Sequence, residues 1–307
     1  MILTKVVVGS RESALAMWQT NWVIGELQRK SPGIQFEIVG IKTEGDKVTE
    51  VPLAQIGGRG VFIKELEKAL AEGRIDMAVH SMKDVPSEIS AEFVLTSVAG
   101  REDVRDVLVS RLGLGLDKLP QGARIGTSSV RRSAQILNRR PNFRIVDLRG
   151  NVDTRLRKAA TEQYDAVVLA AAGIKRLGLG DRITQYIPTE ICLPAVAQGA
   201  MAVEFRAGEG EIQSLVALIT HRPTQLAVLA ERAFLKKMEG GCSIPVGAYA
   251  RIEAGDLVID GVVASVNGRR LVRARESGKP ELADEIGERL ADRIFEMGGR
   301  NILAEVK

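Results

Sequence analysis

One local pattern occurs twice, and it constrains the fold more than any other feature. Residues 5–9 (KVVVG) form a short β-branched run leading into Gly-Ser, and residues 124–127 (RIGT) form another that ends in Gly-Thr. Each is followed by a stretch with helical spacing (13–30 and 129–140), a proline (Pro32 and Pro141) and a second strand-like run (34–41 and 143–148). Further on, YDAVVL (164–169) parallels IDMAVH (75–80). Strand, helix and strand in succession predict parallel strands joined by crossovers. The repetition therefore predicts two similar α/β domains, each with a mostly parallel sheet and helices on both faces. A cleft between two such domains is a frequent ligand site.

In the first helix Leu15, Trp18, Trp22 and Leu27 are expected core contacts, and Ser10 or Ser13 is placed to cap it. Residues 62–72 read as a helix and 76–80 as a strand. The polar stretch 42–60, with four glycines, reads as a long surface loop that could act as a lid. PTEICLP (188–194) is a linker signal, and 222–238 read as a helix ended by Gly240-Gly241. Three strand-like runs follow (246–252, 257–265 and 270–276), turned at Gly255-Asp256 and Asn267-Gly268. An amphipathic stretch, 282–297, closes the chain. These last 85 or so residues predict a small α+β domain with an antiparallel sheet.

Composition removes several function classes. Aromatic residues are 4% of the chain, too few for nucleic-acid stacking platforms. Two cysteines, Cys192 and Cys242, exclude a disulfide framework, and with two histidines they speak against a zinc cluster. No apolar run reaches the roughly 18 residues of a membrane span. The start, MILTKVVVGS, lacks a secretory pattern, so a reducing cytoplasm is expected. Charge is uneven: from Arg124 to Arg182, 13 Lys or Arg stand against 5 Asp or Glu, an excess of 13 − 5 = 8. Such a block suits a polyanionic partner, although Arg139 and Arg140 read as a solvated helix face.

The two strand-to-helix turns, GSRES (9–13) and GTSSVRRS (126–133), offer free N–H groups, hydroxyls and arginines. That combination binds carboxylate or phosphate, which makes Arg11, Ser13, Ser128, Ser129, Arg131 and Arg132 candidates. Arg149, Arg155 and Arg176 follow predicted strands, where α/β folds bind ligands. Arginine forks pair with carboxylates, which suits a substrate with several of them. In HSMKDVP (80–86), Asp84 beside Lys83 could move protons or stabilise a transient cation, but the residues alone favour a salt bridge to a neighbouring arginine. His80 could be a base, but a partly buried strand histidine is more often simply packed and hydrogen-bonded, and the residues alone favour that reading. Cys242, in EGGCSIP, reads either as an attachment point or as a buried thiol, and the residues alone favour the thiol. Cys192 reads as core. The GLGL runs fit no nucleotide-binding pattern.

Two other function classes compete with an enzyme. A two-lobed anion-binding protein would need neither EGGC nor a third domain. A nucleic-acid binder would show salt-sensitive binding, but the arginines lie at several separate loop ends rather than along one helix.

The motifs HSMKDVP, GTSSVRR, LRGNVDTRL, AAGIKRLGL, LPAVAQGA and ERAFLKKMEGGCSIPVG, taken together, resemble the hydroxymethylbilane synthase (porphobilinogen deaminase) family in order and spacing over nearly the whole chain. The resemblance implies two lobes like those of type II periplasmic binding proteins, 1–99 with 198–218 and 100–197, and a C-terminal α+β domain, 219–307. It implies that Cys242 carries dipyrromethane through a thioether and that Asp84 is the main catalytic residue. Lys83, Ser129, Arg131, Arg132 and Asp84 would hold this cofactor. Arg11, Ser13, Arg149, Arg155, Arg176 and Gln198 would hold porphobilinogen and the growing polypyrrole chain, with Arg59 in the lid. No metal is implied. The product would pass to uroporphyrinogen-III synthase, and a monomer is expected. Gln55 and Arg59 stand where many members have lysine, and Asp153 where others often have glycine.

Overall fold

The computed structural model describes residues 3–47, 63–238 and 244–305. In chain order the first elements are β1 (Lys5–Ser10), α1 (Ala14–Lys30), β2 (Gln35–Gly40), α2 (Glu44–Lys47), α3 (Lys64–Ala71), β3 (Met77–Ser81) and β4 (Phe93–Val98). Next come β5 (Asp106–Ser110), β6 (Arg124–Gly126), α4 (Val130–Arg139), β7 (Arg144–Val146), α5 (Val152–Ala159), β8 (Ala166–Ala170), α6 (Ala171–Arg176) and β9 (Gln185–Ile187). The chain continues through β10 (Met201–Arg206), α7 (Gly210–Ala217), α8 (Arg222–Lys237), β11 (Val246–Glu253), β12 (Asp256–Ala264), β13 (Leu271–Gly278), α9 (Ala283–Ile294) and α10 (Arg300–Ala304). Two compact units result: Met1–Arg101 with Ala200–Gln225, and Glu102–Gly199 with Leu226–Lys307.

The first unit holds a five-stranded sheet in the order β2-β1-β3-β10-β4. Four strands run one way, and β10 runs antiparallel to β3 and β4. Strand alternation sends Val6, Val8, Met77 and Val79 to one face, under α1 (Val23, Ile24, Leu27) and α7 (Ile212, Leu215, Val216). Ala78 faces the other way, under Leu66, Ala69 and Leu70 of α3. Leu27 is fully buried as expected, whereas Trp18 and Trp22 pack only partly against this core. Ser13, not Ser10, caps α1. The expected loop 42–60 contains the helical turn α2, and residues 48–60 lie outside the described residues.

The second unit repeats the plan. Its five-stranded sheet has the order β7-β6-β8-β5-β9, with β5 as the reversed strand. Helix α4 covers one face through Ile136, and α5 and α6 cover the other through Leu156, Ala159 and Ile174. The repeated glycines have a packing reason. A Cβ at Gly9 would lie 2.3 Å from Ile75 Cδ1, and one at Gly126 would lie 2.7 Å from the Tyr164 ring. In both sheets the side chain entering the third strand crosses where the first strand has none.

The same unit carries an antiparallel sheet β11-β12-β13, covered by α9. Gly255 and Gly268 turn its strands with φ of 90° and 72°. Helix α9 meets α8 at Gly287, where a Cβ would lie 2.1 Å from the Ala230 carbonyl oxygen. Backbone cannot give way as a side-chain tip can. Gly287→Ala is therefore expected to cost about 1–3 kcal/mol or more, read as a lower melting temperature.

Candidate active site

In the first unit, β1 and β3 are parallel neighbours, so the turns that follow them emerge at the same sheet edge. After β1 come Arg11 and the cap Ser13. After β3 comes a 3₁₀ turn, Met82–Asp84. Together these turns line a pocket whose polar wall is Arg11, Ser13, Gln19, His80, Ser81 and Asp84. Ser13 accepts from the Ala16 N–H, so the free N-terminal end of α1 forms part of this wall. Buried Thr20 donates to Ser10 Oγ at 2.8 Å, and Ser10 donates to the Arg11 carbonyl at 2.9 Å. This hydroxyl chain fixes the backbone from which Arg11 projects.

Asp84 is exposed, and among the described residues it has no ion-pair partner. Among the described residues, the salt bridge favoured by the residues alone is not formed. Lys83 is half-buried beside it. His80 is packed and hydrogen-bonded, as expected: its Nε2 lies 2.9 Å from Glu204 Oε2, with both side chains buried. Sequence reasoning missed Gln19 and Ser81, whose side chains hydrogen-bond at 3.0 Å in the pocket wall. A signal for them exists: Gln19 and Thr20 are a polar pair, 2% and 0% exposed, on the face of α1 that carries Val23 and Leu27.

In the second unit, the turn after β6 carries Ser128 and Ser129. Ser129 caps α4 by accepting from the Arg132 N–H. Ser128 donates to the Leu148 carbonyl at 2.6 Å, tying this turn to the one after β7. Arg131 and Arg132 are both buried on Asp106. Arg131 Nη1 is 2.7 Å from Oδ2, and Arg132 Nη2 and Nε are 2.7 and 3.0 Å from Oδ1. Burial pushes the Asp106 carboxyl up, but the two guanidinium groups outweigh it and hold it well below the usual carboxylate range. Two cations share one anion, so the start of α4 keeps a formal charge of 2 − 1 = +1.

Gln198 is 1% exposed, and its amide donates to Asp106 Oδ1 and to the Val104 carbonyl. Both described donor bonds end inside the unit, so Gln198 also supports Asp106 from behind. Cys192 is core, as expected: burial, with Asp106 at 3.4 Å, pushes its thiol up to about 12. Arg176 is mostly buried and donates to the Gly199 carbonyl, and burial lowers its guanidinium to about 10. Arg149 lies 3.7 Å from Asp147, and its buried Nε has no hydrogen-bond partner among the described residues. Arg155 donates to the Gly150 carbonyl at 2.7 Å, where φ is 111°. Asp153 stands in the first turn of α5, where the helix dipole favours an acid. Cys242, Gln55 and Arg59 lie outside the described residues.

Part of the basic block is neutralised internally. Arg124 pairs with Asp165 and Arg139 with Asp117. Arg140 is not a merely solvated residue: it donates to the carbonyls of Leu116, Asp117 and Leu119 and lies over the Phe143 ring. Among the described residues no helix is long and apolar enough to cross a membrane.

Residues 6–214 match the family described as porphobilinogen deaminase, dipyromethane cofactor binding domain, and residues 225–296 match the porphobilinogen deaminase C-terminal domain. A protein of Pelotomaculum thermopropionicum called porphobilinogen deaminase is 51% identical over 303 residues, covering 99% of this chain and 97% of its own length. One of Shouchella clausii with the same name is 49% identical over 307 residues, covering 99% and 98%. Among solved structures, the VFT2 domain of Bordetella pertussis BvgS aligns at a TM-score of 0.43 and 20% identity, over 71% of this chain and 86% of its own.

Proposed function

The chain belongs to the porphobilinogen deaminase family, and from this we propose that Asp84 is its catalytic carboxylate and Cys242 the attachment point of its dipyrromethane cofactor. It is an enzyme of tetrapyrrole biosynthesis: four porphobilinogen molecules are deaminated and joined head to tail, and hydrolysis releases hydroxymethylbilane. Dipyrromethane supplies the pyrrole α-carbon from which the chain grows.

One observation carries the assignment of Asp84. It is an exposed carboxylate, without an ion pair among the described residues, in a pocket with an arginine and a helix N-terminus. A charge kept free of structural partners can accept hydrogen bonds from pyrrole N–H groups as positive charge develops on them. Arg11 and Ser13 hold substrate carboxylates at the start of α1. The donors at the start of α4 fit the carboxylates of the cofactor: Ser129 marks a free helix end, and Arg131 and Arg132 keep a formal charge of +1 on Asp106. Lys83 joins them. Arg149, with a buried Nε open to an acceptor, and Arg155 and Arg176 hold the growing chain. Gln198 acts one step behind, through Asp106. Arg59 belongs to a lid over the site, and three domains, 1–99 with 198–218, 100–197 and 219–307, carry these parts. The enzyme works as a cytoplasmic monomer and passes its product to uroporphyrinogen-III synthase.

The test is the intact mass of the denatured protein. The parent is expected to exceed its sequence mass by one dipyrromethane, and Cys242→Ser to show the bare mass. A bare parent that gains no pyrrole adducts from porphobilinogen would end this reading.

A further inference from the structure

The buried pair behind the pocket is not used by any role assigned so far. His80 on β3 and Glu204 on β10 are diagonal neighbours: His80 faces Ala202 across the ladder, and Glu204 faces Ala78. Glu204 is 0% exposed, and its Oε1 has no hydrogen-bond partner among the described residues. Its whole carboxylate is therefore committed to His80 through Oε2. Burying a carboxylate with one partner is costly unless that partner carries, or comes to carry, the opposite charge. An ionised carboxylate only accepts, so in a dyad with one Nε2 of the ring is the donor. That leaves Nδ1 as the basic nitrogen. No hydrogen bond from it to a described residue is formed, and His80 is one of the residues that line the same pocket as Asp84.

We propose that His80 and Glu204 form a base dyad for the chain-extending step, with Nδ1 of His80 accepting the proton lost from the attacked pyrrole. The proposal rests on the reading of the pocket given above. A carboxylate that orients an imidazole and stabilises its protonated form is the logic of triad bases. In each addition the C–N bond of the aminomethyl group breaks and ammonia leaves. A C–C bond forms between the freed methylene carbon and the α-carbon of the acceptor ring. The C–H bond at that α-carbon then breaks, its electron pair restores the aromatic ring, and the proton passes to Nδ1. The imidazolium releases it to ammonia or solvent, which resets the base.

Other charged groups around the pair are compatible with this. Arg11 and Asp84 stand in the pocket wall. On α3, Glu67 feels both members of the pair, and burial together with Glu204 raises its carboxyl, so it competes less for the imidazole; Lys64 acts on Glu67 in the opposite sense.

The chain has two histidines, so a His221→Gln background leaves one ring to follow by nitrogen NMR. In that background the dyad predicts an Nε2-protonated neutral tautomer. A ring protonated on Nδ1 overturns the dyad. In turnover, cofactor-loaded His80→Gln should lose about 100-fold in kcat, with KM for porphobilinogen little changed, and should lose the acid limb of the kcat–pH profile. A parent-like kcat and profile in a variant with parent-like mass and melting temperature overturns it too. Should neither variant fold, the parent decides: a flat profile between about pH 5.5 and 8 is incompatible with an imidazole base. Failure of the pocket reading looks different, because Asp84→Asn would then keep full turnover whatever His80 does.

Discussion

Replacing Asp84 by alanine is expected to leave a folded, cofactor-loaded protein whose turnover falls by about 10³-fold. The two halves of this expectation have separate causes. Asp84 is exposed, caps no helix and has no ion-pair partner among the described residues, so its loss should change stability by no more than about 0.5 kcal/mol. Its carboxylate is nonetheless the anionic group in a wall whose other polar residues, among those described, are Arg11, Ser13, Gln19, His80 and Ser81. Removing it leaves nothing there to meet positive charge developing on a pyrrole. Porphobilinogen consumption, intact mass and melting temperature measured on one preparation check both halves. Near-normal turnover would show that the carboxylate is dispensable, and a large loss of melting temperature would show that it has a structural partner.

The largest stability effect is expected at Asp106. Asp106→Ala strands two buried guanidinium groups and removes one of the two described acceptors of the Gln198 amide. Breaking a buried ion cluster from one side costs about 3–5 kcal/mol, which for a chain of this size means a melting temperature lower by about 10 °C. The sign with pH follows from the direction of the shift. The folded carboxyl titrates below its unfolded value, so its contribution is complete above about pH 4 and is lost as pH falls further. The parent should therefore lose stability on acidification more steeply than Asp106→Ala, whose melting temperature is already low. Parallel melting curves for the two across that range would reveal an Asp106 without influence.

Much of the fold is legible because the same physics acts twice. Gly9 and Gly126 announce the turns, Pro32 and Pro141 end the helices, and the period of three to four in α1 and α4 separates them from the strands. Strands β5 and β9 are harder to see. They are five and three residues long and carry no turn signal of their own, and β5 (DVLVS) is a nearly continuous buried run. Strand β10 (MAVEFR) hides for the same reason, although a glutamate within an apolar run is a sign that something charged lies opposite. The site divides similarly. The anion-binding turns follow from helix ends and arginines. The freedom of Asp84 from a salt bridge depends on contacts distant in sequence. The role of Cys242 rests on the resemblance of EGGC and its neighbours to a family, since spacing alone favours a buried thiol.

The origin of β10 has a consequence for how the chain is made. During synthesis the first hundred residues emerge with β1, β2, β3 and β4 complete, yet their sheet has a gap where β10 belongs. The gap stays open until residues 201–206 leave the ribosome, after every strand of the second five-stranded sheet has already appeared. The later sheet can thus close before the earlier one. Meanwhile β3 and β4 present bare edges that invite pairing with other nascent chains. A nascent fragment stopped near residue 200 should accordingly be a target for chaperones and proteases. It would also hold His80 without Glu204, so the first unit acquires its buried acid only in the act of closing.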